Sequence, residues 1–336
     1  MFGAMGCGQL VPSKSVEDDH LTNTMQDAQG QAPRFASTTA PTLATEISSR
    51  RRGHRRSRQP APDDRATAGR GPASVDPVSS EADEAPSQLP AKPPTRAHVG
   101  CSGWDYPDWR NVVYPADLPK RSWFAFYATL FDTVELNATF YRLPSMASVE
   151  RWAAQAPPGF IYSMKLGAFG SHRMKLLDPQ SWLPNHVKRA LALGKACGPT
   201  VVQLPPRWKR NAERLDEFFA VAPRELRWAV EVREPSWLHD EIFEVLRRHE
   251  VALCIHDLLE GHPWVRTTDW AYVRFHGPAA IQARYRGRYG PRRLEGPAKI
   301  LTGWLSEGCD IYAYFNNDYE GHAVADAGWL AKCLEA

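Results

Sequence analysis

From His98 onward, short apolar runs alternate with amphipathic stretches along the chain. Eight of these runs are six or seven residues long and rich in Val, Ile and aromatic side chains. This length and content predict β-strands rather than fragments of buried helices. The predicted strands cover residues 98–103, 133–138, 160–166, 200–205, 227–233, 251–257, 271–277 and 310–316.

Helical patterns separate most of the predicted strands. Ser145 and Asn211 stand where a helix would begin, because their short polar side chains can accept a backbone hydrogen bond there. The stretch 183–198 reads as a helix that closes at Gly198. Only the connection 258–268 looks non-helical between two strands.

Eight strands alternating with helices over about 240 residues predict a (β/α)8 TIM-type barrel, an α/β fold. The alternative is a doubly wound open sheet, which usually carries a glycine-rich phosphate turn after its first strand. Here that position reads GCSGW, with Gly100 and Gly103 but no third glycine. We therefore expect the barrel, as a single domain over residues 97–336.

Residues 1–96 have a different composition: they are rich in Ala, Ser, Thr, Pro and Gln and contain no Trp or Tyr. Such a segment buries too little apolar surface to offset its chain entropy, so it is predicted to be a disordered tail. Six of the nine residues 50–58 are arginine. This tract is either an arm that binds an anionic partner, such as nucleic acid, or a charged tail exposed to solvent.

Composition restricts the partners and the cellular location that we expect for the protein. The chain has 336 residues, 43% hydrophobic content and a formal charge of only +3, so no global basic field demands a nucleic-acid partner. No apolar run is long enough for a transmembrane helix, so no membrane partner is expected. The six cysteines form no C-x-x-C pair, and the N-terminus lacks a secretory apolar region, which favours a cytoplasmic location.

Polar or ionisable residues stand at the end of every predicted strand, where barrels of this class carry their active sites. The candidate catalytic residues are Glu135, Lys165, Glu231, Asp257 and His276. The candidate substrate-binding residues are Trp104, Tyr106, Asn137, Tyr141, His172, Gln203, Arg233, Arg274, Asn316, Asn317 and Asp318. Each charged residue could instead belong to an ion pair that closes the barrel, because buried charges are normally paired.

The alternation of side chains along a strand sharpens this set. Glu135 and Asn137 share one face of their strand, opposite Val134 and Leu136. The same spacing of two relates Glu231 to Arg233 and Arg274 to His276. On the eighth strand, Asn316 shares a face with Tyr314, while Asn317 points the other way. The polar groups are therefore expected to converge on the mouth of the barrel.

Several blocks at these strand ends resemble a known family: GCSGWDYPDWRNVVYP, VELNATFYRLP, VVQLPPRW, AVEVREPSW, YVRFHG and YFNNDYEGHAVADA. In this order they are similar to the YecE-like family, domain of unknown function 72. The resemblance runs from about residue 97 to residue 333 and implies a TIM-type barrel. It marks most of the strand-end residues as signature positions and assigns none of them a chemical role.

Three functional hypotheses remain open. In the first, the protein is an enzyme for an anionic or polyhydroxylated substrate, with Glu135 and Glu231 as the acid/base pair and Lys165, Arg233 and Arg274 holding the anion. Lys165 could also form a Schiff base.

The second hypothesis is a metal-dependent phosphoesterase or isomerase, for which a nucleic-acid substrate is possible. Its divalent metal would be held by Glu135, Glu231, Asp257 and His276. The third is a non-catalytic module that binds a nucleotide or a sugar. No cofactor is expected, and the sequence does not indicate the oligomeric state.

Overall fold

The computed structural model describes residues 95–335. Except for its last two residues, the predicted disordered tail lies outside the described residues, as does the arginine-rich tract 50–58. Within the described part, eight parallel strands pair in sequence order and the eighth pairs with the first, which closes a barrel. The predicted TIM-type barrel is therefore confirmed.

The strands have the following bounds: β1 Ala97–Cys101, β2 Thr133–Leu136, β3 Ile161–Lys165, β4 Cys197–Gln203, β5 Trp228–Glu231, β6 Ala252–His256, β7 Trp270–Phe275 and β8 Asp310–Phe315. All eight predicted strands exist, each displaced by no more than three residues at either end. Their high content of β-branched and aromatic residues suits a sheet that is covered on both faces.

The α-helices are α1 Trp123–Tyr127, α2 Ala138–Tyr141, α3 Met146–Gln155, α4 Pro179–Leu191, α5 Ala212–Val221, α6 Asp240–Arg248, α7 Gly290–Ser306 and α8 His322–Glu335. The predicted caps are confirmed, since the Ser145 side chain accepts a hydrogen bond from the amide of Ser148 and that of Asn211 accepts one from the amide of Arg214. The connection 258–268 contains no helix, as predicted.

The prediction for residues 183–198 is wrong at its end. Helix α4 ends at Leu191, and Gly198 lies inside strand β4. A Cβ atom at Gly198 would lie 2.4 Å from the Ile161 Cγ2 atom and 2.9 Å from the carbonyl oxygen of Tyr162. This glycine therefore permits close contact between β3 and β4 and does not end a helix.

The side chains of the barrel fall into two layers, as the alternation predicts. One face of each strand packs against the helices, for example through Val134, Met164 and Val202. The other face fills the lumen, where the Tyr314 hydroxyl lies 2.7 Å from both the Thr133 and the Ser163 hydroxyl. The lower lumen is therefore closed by packed side chains, which leaves the C-terminal mouth for a ligand.

No helix among residues 95–335 is long and apolar enough to cross a membrane. The five cysteines of the same residues are free, and Cys101, Cys254 and Cys309 are buried.

Candidate functional site at the mouth of the barrel

Arg274 of β7 lies at the centre of the mouth, between two buried carboxylates. Its Nη2 atom is 2.7 Å from Glu135 Oε1, and its Nη1 atom donates to Glu231 Oε2. All three side chains are fully buried. Strands β2, β5 and β7 each supply one of them, so the predicted convergence on the lumen is observed for these residues.

Two hydroxyl groups complete the surroundings of Glu135. Ser102 Oγ donates to Oε1 at 2.7 Å, and the Tyr272 hydroxyl donates to Oε2 at 2.6 Å. Tyr272 was not among the candidates, although it lies two residues before Arg274 on the same face of β7. The i, i+2 spacing between Tyr272 and Arg274 was therefore the sequence signal that could have identified Tyr272.

Glu231 is held by two guanidinium groups. Arg233 Nε donates to its Oε1 atom, and Arg233 Nη2 also donates to Gln203 Oε1 at 3.1 Å. Burial alone would raise the pKa of Glu231, but Arg233 and Arg274 outweigh burial and hold its pKa well below the usual value. Glu231 is therefore a fixed anion at neutral pH.

His276 links this cluster to Asp257. Arg274 Nη1 donates to His276 Nε2 at 3.2 Å, so the ring proton lies on Nδ1 and is donated to Asp257 Oδ1 at 3.1 Å. Burial and the charge of Arg274 hold the pKa of His276 well below its usual value, which keeps the ring neutral. Asp257 also accepts from the Tyr289 hydroxyl, and burial raises the pKa of this carboxyl to about 6. No sequence pattern marked Tyr289, because the segment after β7 brings it back to the strand end.

Lys165 of β3 differs from the arginines because no carboxylate of the described residues lies within 4.0 Å of its ammonium group. Its Nζ atom instead lies 4.3 Å from the centroid of the Phe140 ring. The side chain is only 9% exposed. Burial and the like charge of Arg274 lower the pKa of Lys165 to about 7.

His172 contacts the same phenyl ring. Its imidazole meets the Phe140 ring edge-to-face at 4.9 Å, and its Nδ1 atom lies 3.0 Å from Ser171 Oγ. Burial and the charge of Lys165 lower the pKa of His172 to about 4, so the ring is neutral at physiological pH. His172 lies in a single π-helical turn, Phe169–Arg173, of the kind often found at functional sites.

Of the three candidate asparagines, Asn137 and Asn316 have side-chain amides that reach the mouth of the barrel. Asn137 Nδ2 lies 3.5 Å from Asn316 Oδ1, and Asn137 Oδ1 accepts from Arg274 Nη2 at 3.4 Å. Asn317 faces the helices, as the alternation predicts, and its amide donates to Gly287 O and to the buried Asp326 carboxylate of α8. The structure therefore does not bring Asn317 to the lumen.

The remaining candidates lie around the rim. The Trp104 ring packs against Phe124 of α1, and the Tyr106 hydroxyl donates to the carbonyl of Ser102. Tyr141 is 63% exposed. Burial raises the pKa of the Asp318 carboxyl to about 7. These four residues surround the mouth rather than filling it.

A divalent cation would need ligands that are already engaged. Among residues 95–335, no group of three or more His, Cys, Asp or Glu side chains is arranged to hold a metal ion. The space between Glu135 and Glu231 is occupied by the guanidinium of Arg274. Of the proposed ligands, Glu135 and Glu231 are therefore ion-paired with Arg274, and the neutral ring of His276 is hydrogen-bonded to Asp257.

A model of a family described as "Protein of unknown function DUF72" matches residues 98–336. The UPF0759 protein YunF of Bacillus subtilis is 26% identical over 277 residues, which cover 71% of this chain and 94% of that protein. A crystal structure of a DUF72 family protein from Thermotoga maritima is 30% identical, with a TM-score of 0.65, over 72% of this chain and 100% of the other.

A crystal structure of a second DUF72 family protein, from Enterococcus faecalis, has a TM-score of 0.59 at 18% identity and covers 71% of this chain and 96% of that one. At this identity the likeness concerns the fold alone. The match to the family model and these relatives agree with the resemblance found in the sequence.

Proposed function

This chain belongs to the DUF72 family, and we propose that it is an enzyme that acts at the mouth of the barrel on an anionic (phosphorylated) or polyhydroxylated substrate. Lys165 is the group that transfers the proton, and Arg233 and Lys165 attract the anion. The amides of Asn137 and Asn316 orient the hydroxyl groups of the substrate.

The observation that carries this proposal is the buried ammonium group of Lys165. Burying a charge without a partner costs free energy. The pKa of about 7 supplies both protonation states near neutral pH, which is the condition for efficient acid/base catalysis. Strongly shifted groups of this kind cluster at functional sites.

The two glutamates have a different role in this proposal from the one expected from the sequence. Hydrogen-bond donors already occupy both oxygens of Glu135 and both oxygens of Glu231. Despite its burial, the charges of Arg233 and Arg274 hold the pKa of Glu231 well below its usual value, so this carboxylate is a poor proton donor at neutral pH. Glu135 and Glu231 therefore position Arg274, and the proton transfer falls to Lys165.

The proposal is tested by incubating the full-length protein with a deproteinised metabolite extract and following the extract by mass spectrometry. The wild type should deplete at least one anionic species, and the Lys165→Met variant should deplete it at least about a hundredfold more slowly. Lys188→Met, on the exposed face of α4, is the matched control. Equal depletion by the wild type and by Lys165→Met would refute the role of Lys165. A tightly retained ligand that neither protein converts would favour the binding module instead.

The same pKa favours a second candidate, in which Lys165 forms a Schiff base with a carbonyl substrate. A neutral amine is the nucleophile in that reaction, and burial in an apolar pocket is one way to generate it. Borohydride added during turnover should then attach the substrate to Lys165. Turnover without any trapped adduct would leave proton transfer as the role of the amine.

A further inference from the structure

The segment that follows β7 carries a dense positive charge beside the mouth. Between His276 and Leu294 there are five arginines and no acidic residue. The arginines are Arg284, Arg286, Arg288, Arg292 and Arg293, and all five are exposed. Only Arg288 lies near a carboxylate of the described residues, 3.8 Å from Asp326 Oδ1. The arginine side chains of this segment, three in the β7–α7 loop and two in the first turn of α7, are therefore largely available to an anionic partner.

The backbone of this loop is held against the strand end. The Tyr285 amide donates to the carbonyl of His276 at 2.6 Å, and the Gly277 amide donates to the Tyr289 hydroxyl at 2.6 Å. Gly277 has a φ of 122°, in the left-handed region that favours glycine, and a Cβ atom there would lie 2.6 Å from the carbonyl oxygen of Arg286. The charged loop is therefore packed onto the rim of the site.

Exposed aromatic rings lie on the same side of the barrel. Within residues 95–335, the exposed aromatic side chains are Tyr141, Phe169, Tyr285 and Tyr319, and they follow strands β2, β3, β7 and β8. The guanidinium of Arg286 lies 5.1 Å from the centroid of the Tyr319 ring. All of these rings therefore belong to segments at the C-terminal ends of the strands, although aromatic side chains normally avoid such exposure.

An apolar groove of 350 Å³ is lined by residues that follow strands β2 and β3, together with residues of α4. Phe140, Tyr141, Phe169 and Trp182 line it, together with backbone at Gly167 and Gly170. Phe140 is the ring that also contacts the Lys165 ammonium. The groove is large enough for a flat ring system, and the Phe140 ring connects it to the proposed anion site at Lys165.

We propose that the mouth and residues 284–293, which are the end of the β7–α7 loop and the first turn of α7, bind single-stranded nucleic acid, with the arginines on the phosphates and the exposed aromatic rings stacked on the bases. Phosphate-contacting basic side chains combined with stacking rings are the recurring elements of single-strand recognition. A duplex keeps its bases stacked inside, so it would leave these rings unused. The inference rests on the proposed function in one respect, because the anionic substrate at Lys165 then becomes one unit of the strand.

The binding test uses the full-length protein and fluorescence anisotropy with labelled probes at several salt concentrations. The probes are a thymidine 20-mer, a uridine 20-mer, a DNA duplex of 20 base pairs and a 20-mer phosphodiester that lacks bases. Both single strands should bind at least about tenfold more tightly than the duplex and the strand without bases. Their relative affinities distinguish DNA from RNA. Equal affinity for the strand without bases would overturn the stacking part of the proposal.

Substitutions assign the binding to the loop. Arg284→Gln, Arg286→Gln and Arg292→Gln together should weaken single-strand binding at least about tenfold and make the salt dependence shallower by about 2 in slope, as expected for three lost phosphate contacts. The charge-matched control is Lys188→Gln, Arg247→Gln and Lys332→Gln, which lies in the last turns of α4, α6 and α8. Tyr285→Ala should weaken binding by roughly 5- to 100-fold through lost stacking.

The arginine-rich tract 50–58 could itself bind a strand, so every variant is repeated with its six arginines replaced by glutamine. If the loop variant binds strands as tightly as its control in that background, the inference is wrong. This outcome is separate from a failure of the proposed function, which is detected by the Lys165-dependent depletion of anionic metabolites. The loop variant could lose strand binding while the Lys165→Met variant still depletes the anionic metabolites as fast as the wild type. This pair of results would refute the proposed function and leave the inference on strand binding intact.

Discussion

Lys165 is the residue whose environment is least explained by folding alone. It is nearly buried, its ammonium lies over the Phe140 ring without a carboxylate within 4.0 Å among the described residues, and Arg274 repels it. The lowered pKa means that the folded protein binds the Lys165 proton more weakly than the unfolded chain does. A buried lysine with a lowered pKa reduces the stability of the fold. Such residues are typical of sites where function competes with folding.

Replacing Lys165 by methionine should therefore stabilise the protein by roughly 1–3 kcal/mol near neutral pH. The folded-state pKa of about 7 lies below the unfolded value, so the cost of the lysine is largest below pH 7 and disappears as the pH rises towards about 10.5. Urea unfolding from about pH 6 to about pH 10 measures this difference. A gain that is absent, or that grows with pH, would contradict the account, and Lys188→Met should change stability by less than about 0.5 kcal/mol.

Arg274 is the opposite case, because its charge is needed by two buried carboxylates. Arg274→Met should destabilise the protein by about 3–5 kcal/mol, since it leaves Glu135 and Glu231 without their shared partner. Arg248→Gln breaks the exposed pair with Asp216 and should cost no more than about 1 kcal/mol. Chemical denaturation compares the two variants, and equal losses would show that the buried network does not hold the barrel together.

At the scale of elements, the strands were predictable because each carries its own pattern of apolar residues. The alternation within a strand also separated lumen-facing Asn316 from helix-facing Asn317. The pairing of Arg274 with both glutamates was not predictable, because it depends on the register between strands far apart in sequence. Short elements such as α2 and the turn Phe169–Arg173 were missed, since four or five residues are too few to show a helical period.

Gly198 illustrates a contact between elements that a sequence pattern cannot reveal. Gly198→Ala should destabilise the barrel by about 1–3 kcal/mol, because the new methyl group would overlap Ile161 and the backbone of Tyr162. Gly303→Ala in α7 meets no atom within 4 Å and should stabilise the protein by about 0.5–1 kcal/mol. Thermal unfolding of both variants gives the comparison, and a stable Gly198→Ala variant would mean that β3 and β4 can separate without cost.

At the scale of the whole molecule, barrel closure brings together residues from Ser102 to Asn316. The sequence predicted the fold and the end of the barrel that holds the site, because every strand ends in polar groups. It did not predict which of these groups are neutralised by ion pairs and which have no ion-pair partner. That distinction depends on burial and on neighbouring charges, which exist only in the folded chain.

The central claim is that Lys165 is a reactive amine in an anion-binding mouth. The most direct measurement is an NMR titration of the Lys165 ammonium group, with and without inorganic phosphate. The account predicts a midpoint near pH 7 without phosphate and a higher midpoint with it, since a bound anion favours the charged amine. A midpoint near the usual lysine value of about 10.4, or one that phosphate leaves unchanged, would contradict it.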